Sequence, residues 1–143
     1  MMVRLRVLRL ACILALPAAA AAQGPAPDPA RSTRAGVYSA AQASRGREIY
    51  ELSCISCHTS VSHAGPVFAA KWDRHPLWDL YRYISEAMPK SEPGSLTPRQ
   101  YAGIVAYLLK MNGMPAGNDE IPTDSTALKK IRIELKPDSA QMR

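Results

Sequence analysis

The chain has 143 residues, 18 basic against 12 acidic side chains and a net charge of +6, long enough for one domain and little more. Three of the basic residues, Arg4, Arg6 and Arg9, sit in the first nine positions. With no basic stripe interleaved with aromatics elsewhere, a nucleic-acid partner is excluded.

Those three arginines precede an uninterrupted apolar run at residues 10–22. The run is too short to span a bilayer and has the proportions of an export signal, with Ala20-Ala21-Ala22 before Gln23 as the cleavage site. Cys12 lies before the run ends, which argues against lipidation there. Cleavage leaves 121 residues, 15 of the 18 basic side chains and a net charge of +3. The mature chain is then expected in the periplasm, with no membrane span. Residues 23–36 contain Pro25, Pro27, Pro29 and two glycines with little apolar content, and read as a disordered or extended leader. A domain is expected over residues 37–117, followed by an extension over 118–143 that packs on it or trails from it.

Ser39 opens the first helix, with Gln42 at capping-box spacing, and the helix should run to about Leu52. Gly46 in its interior costs on the order of 1 kcal/mol against Ala, which a closely crossing helix would explain. Next comes Cys54-Ile55-Ser56-Cys57-His58. Two thiols three positions apart, followed at once by an imidazole, is the spacing for c-type haem attachment. Each sulfur adds to one vinyl group of the haem, and the imidazole ligates the iron from below. A thioredoxin-like site wants a preceding strand, and a structural zinc site wants a second close Cys or His pair; neither is present in the sequence. After cleavage, Cys54 and Cys57 are the only cysteines left, so no disulfide is expected.

After His58 the chain reads as irregular, with a turn at Gly65-Pro66 and apolar cover from Val67, Phe68 and Trp72. Pro76 suits the start of a helix over residues 77–87, in which Leu77, Leu80, Tyr81 and Ile84 form one apolar stripe. Met88-Pro89 ends it. Thr97-Pro98-Arg99-Gln100 starts the last long helix, with Tyr101, Ile104, Val105 and Leu108 on its apolar face and a stop at Asn112-Gly113. A short helix over 126–130 and an alternating strand-like stretch over 131–135 complete the pattern.

The second axial ligand decides what such an iron does: a Met or His there gives electron transfer, an open position gives gas binding or activation. The candidates are Met88, Met111, Met114, His63 and His75. Met88 is preferred, because it sits at a helix end 30 residues past His58, far enough for the chain to wrap over the ring. Met114-Pro115 repeats the dipeptide but follows a helix stop, where an apolar residue folds back on the last turn. His63 is only five residues beyond His58 and His75 is expected at a helix entry.

With Gly46, Tyr50, the Cys54–His58 motif, Gly65-Pro66, Met88-Pro89 and the final Ala106-Tyr107-Leu108-Leu109, the chain resembles class I c-type cytochromes. From Met88 through Gly117 it is similar to the small cytochrome c subunits that accompany periplasmic quinoprotein (PQQ-type) dehydrogenases. The resemblance implies an all-α cytochrome c fold, three or more helices around one covalent haem c, with an irregular C-terminal tail. It implies that Gly46 crosses the last helix near Tyr107. It also implies that the Pro66 carbonyl accepts from the His58 ring and that Trp72 lies by the haem edge or a propionate. The cofactor-binding set is thus Cys54, Cys57, His58, Met88, Pro66 and Trp72, with His58 and Met88 on the iron and no catalytic residue. The implied partners are a periplasmic dehydrogenase as donor and an oxidase or another cytochrome as acceptor. The alternative is a haem enzyme or sensor with an open or displaceable sixth ligand, peroxidase-like or gas-sensing.

Overall fold

The structure, a computed structural model, describes residues 31–136. The export signal and most of the proline-rich leader fall outside the described residues. The architecture is all-α. Five helices, α1 (Ala40–Ser53), α2 (Gly65–Trp72), α3 (Leu77–Ala87), α4 (Pro98–Met111) and α5 (Ser125–Lys129), are joined by one small parallel pairing of β1 (Arg31–Ser32) with β2 (Ile131–Arg132).

The core is the crossing of α1 and α4. Gly46 is buried there because α4 leaves no room for a side chain: a Cβ would stand 1.8 Å from the Gly103 carbonyl oxygen. The crossing is therefore centred on Gly103, one turn before Tyr107. Tyr107 instead meets Tyr50, at 5.3 Å between ring centroids. Around this contact α4 buries Tyr101, Ile104, Val105 and Leu108, the stripe expected from its spacing. Its start is a full capping box between Thr97 and Gln100. Its end is a Schellman turn: Gly113, in the left-handed region, donates to Lys110 O at 3.0 Å, and Met114 donates to Leu109 O at 3.1 Å. α3 presents Leu77, Leu80, Tyr81 and Ile84 to α4, again as one buried stripe.

Three elements differ from the sequence reading. α2 occupies a stretch expected to be irregular. Its N-cap, Ala64, offers no side-chain acceptor. The cap comes from 47 residues away: Asn112 Oδ1 accepts from the Gly65 N–H at 3.0 Å, and Asn112 Nδ2 donates to His63 O at 2.9 Å. No local pattern could show that.

At the start of α1, Ser39 accepts from Gln42 N–H as expected, at 3.0 Å. The Gln42 side chain, only 3% exposed, does not reach back to Ser39. It pairs with the backbone of Ile121, donating at 3.1 Å and accepting at 2.8 Å.

That pairing belongs to the C-terminal segment, which through Lys136 takes one of its two expected forms and packs on the domain. Ile121, Leu128, Ile131 and Ile133 are buried in the same core as α1 and α4. The third difference lies on the N-terminal side, at residues 31–36. Arg31 to Gly36, assigned by composition to the leader, are ordered by the same segment. β1 pairs with β2, and Thr33 is fully buried and accepts from the Glu134 N–H at 3.0 Å. A pairing between residues about 100 positions apart leaves no trace in local composition.

Candidate functional site: a haem cleft

The last turn of α1 does not stop at Ser53 but tightens into the next segment. Cys54 N–H donates to Tyr50 O at 2.9 Å, Cys57 N–H to Cys54 O at 3.1 Å and His58 N–H to Cys54 O at 3.0 Å. This winding brings the two thiols and the imidazole to one wall of a cleft. Both cysteines are free; Cys54 is half-buried and Cys57 exposed. Burial pushes the Cys54 thiol above its ordinary value.

The cleft has a volume of about 360 Å³. Cys54, Cys57 and His58 come from the end of α1. Phe68 and Trp72 come from α2, Leu80 and Ile84 from α3, Met88 from the segment after α3, and Ile104 and Leu108 from α4. The α3 stripe thus has a second use: Leu80 and Ile84 seal the core on one side and line the cleft on the other.

Among the described methionines, Met88 alone lines the cleft. Met114 is buried at 5% exposure and does not line the cleft, and its carbonyl accepts from the Tyr38 hydroxyl at 2.6 Å. Met111 is half-buried and off the cleft. His75 faces Asp79 at 3.3 Å and the Trp72 ring, also off the cleft.

His63 does line it, but beside His58, with the two ring centroids 4.4 Å apart. Its Nδ1 is 2.9 Å from the Tyr50 hydroxyl. Burial, then the neighbouring His58 and Lys71, hold His63 below the ordinary histidine value, so it remains a neutral partner for Tyr50 near pH 7.

Pro66 is exposed in the first turn of α2 and does not line the cleft.

Two rim residues, Tyr83 and Lys71, stand outside the expected cofactor-binding set. Tyr83, 40% exposed, lines the cleft from outside the buried stripe of α3. Lys71 Nζ lies 3.8 Å from the Tyr83 ring centroid and 4.8 Å from that of Trp72. The signal for Tyr83 was available: a large aromatic at a position off the apolar face.

Haem c fits this donor set. The walls are mostly apolar, two attachment sulfurs and one imidazole share a wall, and a thioether sulfur lines the same space. The sequence of residues 41–108, from the first turn of α1 to the last turn of α4, matches the family model described as "Cytochrome C oxidase, cbb3-type, subunit III". This stretch, just under half of the chain, is similar to a c-type cytochrome domain. It contains Cys54, Cys57, His58 and Met88, and both helices of the glycine crossing. No curated protein and no solved structure gave a match. The likeness supports covalent binding of haem c and haem-based electron transfer. Among the described residues, no helix is long and apolar enough to cross a membrane.

Proposed function

We propose that this cytochrome c domain is a one-electron carrier of the periplasm that binds a single haem c through Cys54 and Cys57. In this reading His58 and Met88 hold the two axial positions. The observation behind it is the cleft itself, with the thiols and His58 on one wall and Met88 as its methionine. When bound, haem c supplies a ferrous–ferric couple, and a thioether ligand shifts that couple to higher potential.

The protein's part is to hold and to exclude. Phe68, Leu80, Ile84, Ile104 and Leu108 keep water from the cleft floor and lower the local dielectric. Both axial side chains stay in place through the redox cycle, so little has to reorganise. Val67, which lines the cleft and is 60% exposed, leaves an apolar rim through which a redox partner can approach. A transient redox interface of this kind is small.

The donor proposed is a periplasmic dehydrogenase, possession of a PQQ cofactor being the finer form of that reading. The acceptor is an oxidase or another cytochrome of the respiratory chain. The support is the resemblance of the segment from Met88 to Gly117 to the cytochrome subunits of such enzymes. Met88→Ala is expected to lower the potential and to open the iron to carbon monoxide. A Met88→Ala protein with unchanged spectrum and potential, alongside a Met114→Ala protein that loses both, refutes the ligand assignment. Affinity capture from the native host, with the bound dehydrogenase identified by mass spectrometry, tests the donor. Recovery of electron-transfer partners without any dehydrogenase rejects it.

A further inference from the structure

The segment that carries Met88 is weakly attached to the domain. It leaves α3 at Met88 and reaches α4 at Thr97, and residues 90–95 are all exposed. Its internal hydrogen bonds, Glu92 N–H to Pro89 O at 3.0 Å and Ser95 N–H to Glu92 O at 3.3 Å, shape the turn without tying it to the core. On the α3 side, Met88 N–H still donates to Ile84 O at 3.0 Å.

Met88 and Leu96 pack against the core, and among the described residues the hydrogen-bonded tie between them and the core is one hydroxyl. Tyr101 is 3% exposed in the first turn of α4. Its hydroxyl donates to the Met88 carbonyl at 2.8 Å and accepts from the Leu96 N–H at 3.4 Å. No other hydrogen bond to the Met88 carbonyl is present among the described residues. A single oxygen therefore closes both ends of the loop, from a helix whose start is fixed by its own capping box. An apolar side chain at position 101 would serve the α4 stripe equally well, so the hydroxyl is not needed for burial.

We propose that Tyr101 is a positioning residue for Met88, its hydroxyl latching the 88–96 loop so that the thioether stays at the cleft. This rests on Met88 being the sulfur ligand. Without the latch, the loop leaves the cleft more often and the sixth position becomes easier to take.

The test uses the full haem-loaded protein and its Tyr101→Phe variant, with Tyr81→Phe as control. Tyr81 is similarly buried, but its hydroxyl bonds to Pro98 O at 3.3 Å and not to the loop. Tyr101→Phe is expected to bind imidazole in the ferric state about fivefold more tightly, the scale of one neutral hydrogen bond. It should also bind carbon monoxide more readily in the ferrous state and weaken the sulfur-to-iron charge-transfer band. Tyr81→Phe should leave all three unchanged. Equal imidazole affinity in wild type and Tyr101→Phe, or the same rise in both variants, overturns the proposal.

A second measurement needs no variant. In wild type, displacing Met88 with imidazole should speed hydrogen exchange at the Leu96 amide; exchange that stays at its resting rate overturns the latch. Met88→Ala separates this from the parent reading. If that protein keeps the wild-type charge-transfer band, Met88 is not the ligand, whatever Tyr101 does.

Discussion

Gly46 and Gly103 face each other across the α1–α4 crossing, yet they should not tolerate alanine equally. A Cβ on Gly46 would lie 1.8 Å from the Gly103 carbonyl oxygen and 2.2 Å from the carbonyl carbon. A Cβ on Gly103 would come no nearer than 3.3 Å, to Gly46 Cα, with Gly46 N at 3.4 Å and Gln42 O at 3.7 Å. The first contact is with backbone, which cannot rotate away, so α1 must move off α4 by about 1.2 Å to reach even 3.0 Å. Overpacking of a core costs ~1–3 kcal/mol, and this clash belongs at or above the upper end. Alanine in a helix interior returns about 1 kcal/mol. The net expectation for Gly46→Ala is a loss of ~2 kcal/mol or more. For Gly103→Ala the neighbours need give only a few tenths of an ångström, the two terms nearly cancel, and the change should stay within ~1 kcal/mol of zero. Urea unfolding of the haem-loaded proteins, followed by far-UV circular dichroism, measures both through the shift in midpoint at constant slope. Equal losses, or a larger loss for Gly103→Ala, would refute the reasoning, because the helix approach would then not be limited by the Gly103 carbonyl.

Three further outcomes are expected. Gln42→Ala strands the Ile121 backbone N–H and carbonyl in the core and should cost about 2–3 kcal/mol, with the segment after Gly117 becoming the first site of protease cleavage. Asn112→Ala removes the distant cap of α2 and should cost ~1 kcal/mol in urea unfolding, with faster amide exchange in the first turn of that helix. Met114→Ala should lower stability by ~2–3 kcal/mol through the cavity it leaves, while the absorption spectrum and potential stay at wild-type values. A spectral change in Met114→Ala would count against the separation of the two methionines.

What could be read from the sequence was what local spacing determines. The stripes of α3 and α4 are set by 3.6-residue periodicity, and their boundaries by Pro76, Pro89, Thr97 and Gly113, all within a turn of the residues they affect. The CxxCH motif is likewise one turn of chain. The need for a close helix approach at Gly46 was legible too, since a helical glycine with no local function asks for a partner. The resemblance placed its partner in the last helix near Tyr107, but not the residue itself, because Gly103 is 57 positions away and looks like any small residue. The same holds for Asn112 capping α2 and for Gln42 gripping Ile121. In each case a polar side chain that satisfies a local rule on paper is used for a distant one in space. Gln42 shows the cost of stopping at the motif: capping-box spacing is necessary for the reciprocal bond, but a stronger pairing in the buried core takes the side chain away.

These distant contacts converge on α4. Gly103 sets the position of α1, and with it the segment from Cys54 to His58. Tyr101 holds the loop that begins at Met88. Asn112 fixes the start of α2, which supplies Phe68 and Trp72 to the cleft. Ile104 and Leu108, between them on the same helix, form part of the cleft itself. The cleft lining comes from chain segments far apart in sequence, and the segments before His58, at Met88 and at the start of α2 are each positioned against one helix of 14 residues or its C-cap. His58 follows the helix that packs on α4 at Gly103, and the Met88 carbonyl is bonded to Tyr101 of α4. In the proposed electron carrier the separation of the two ligands would therefore depend on α4 more than on the loops. A separation that stays constant as the iron changes charge would keep the energy of reorganisation low.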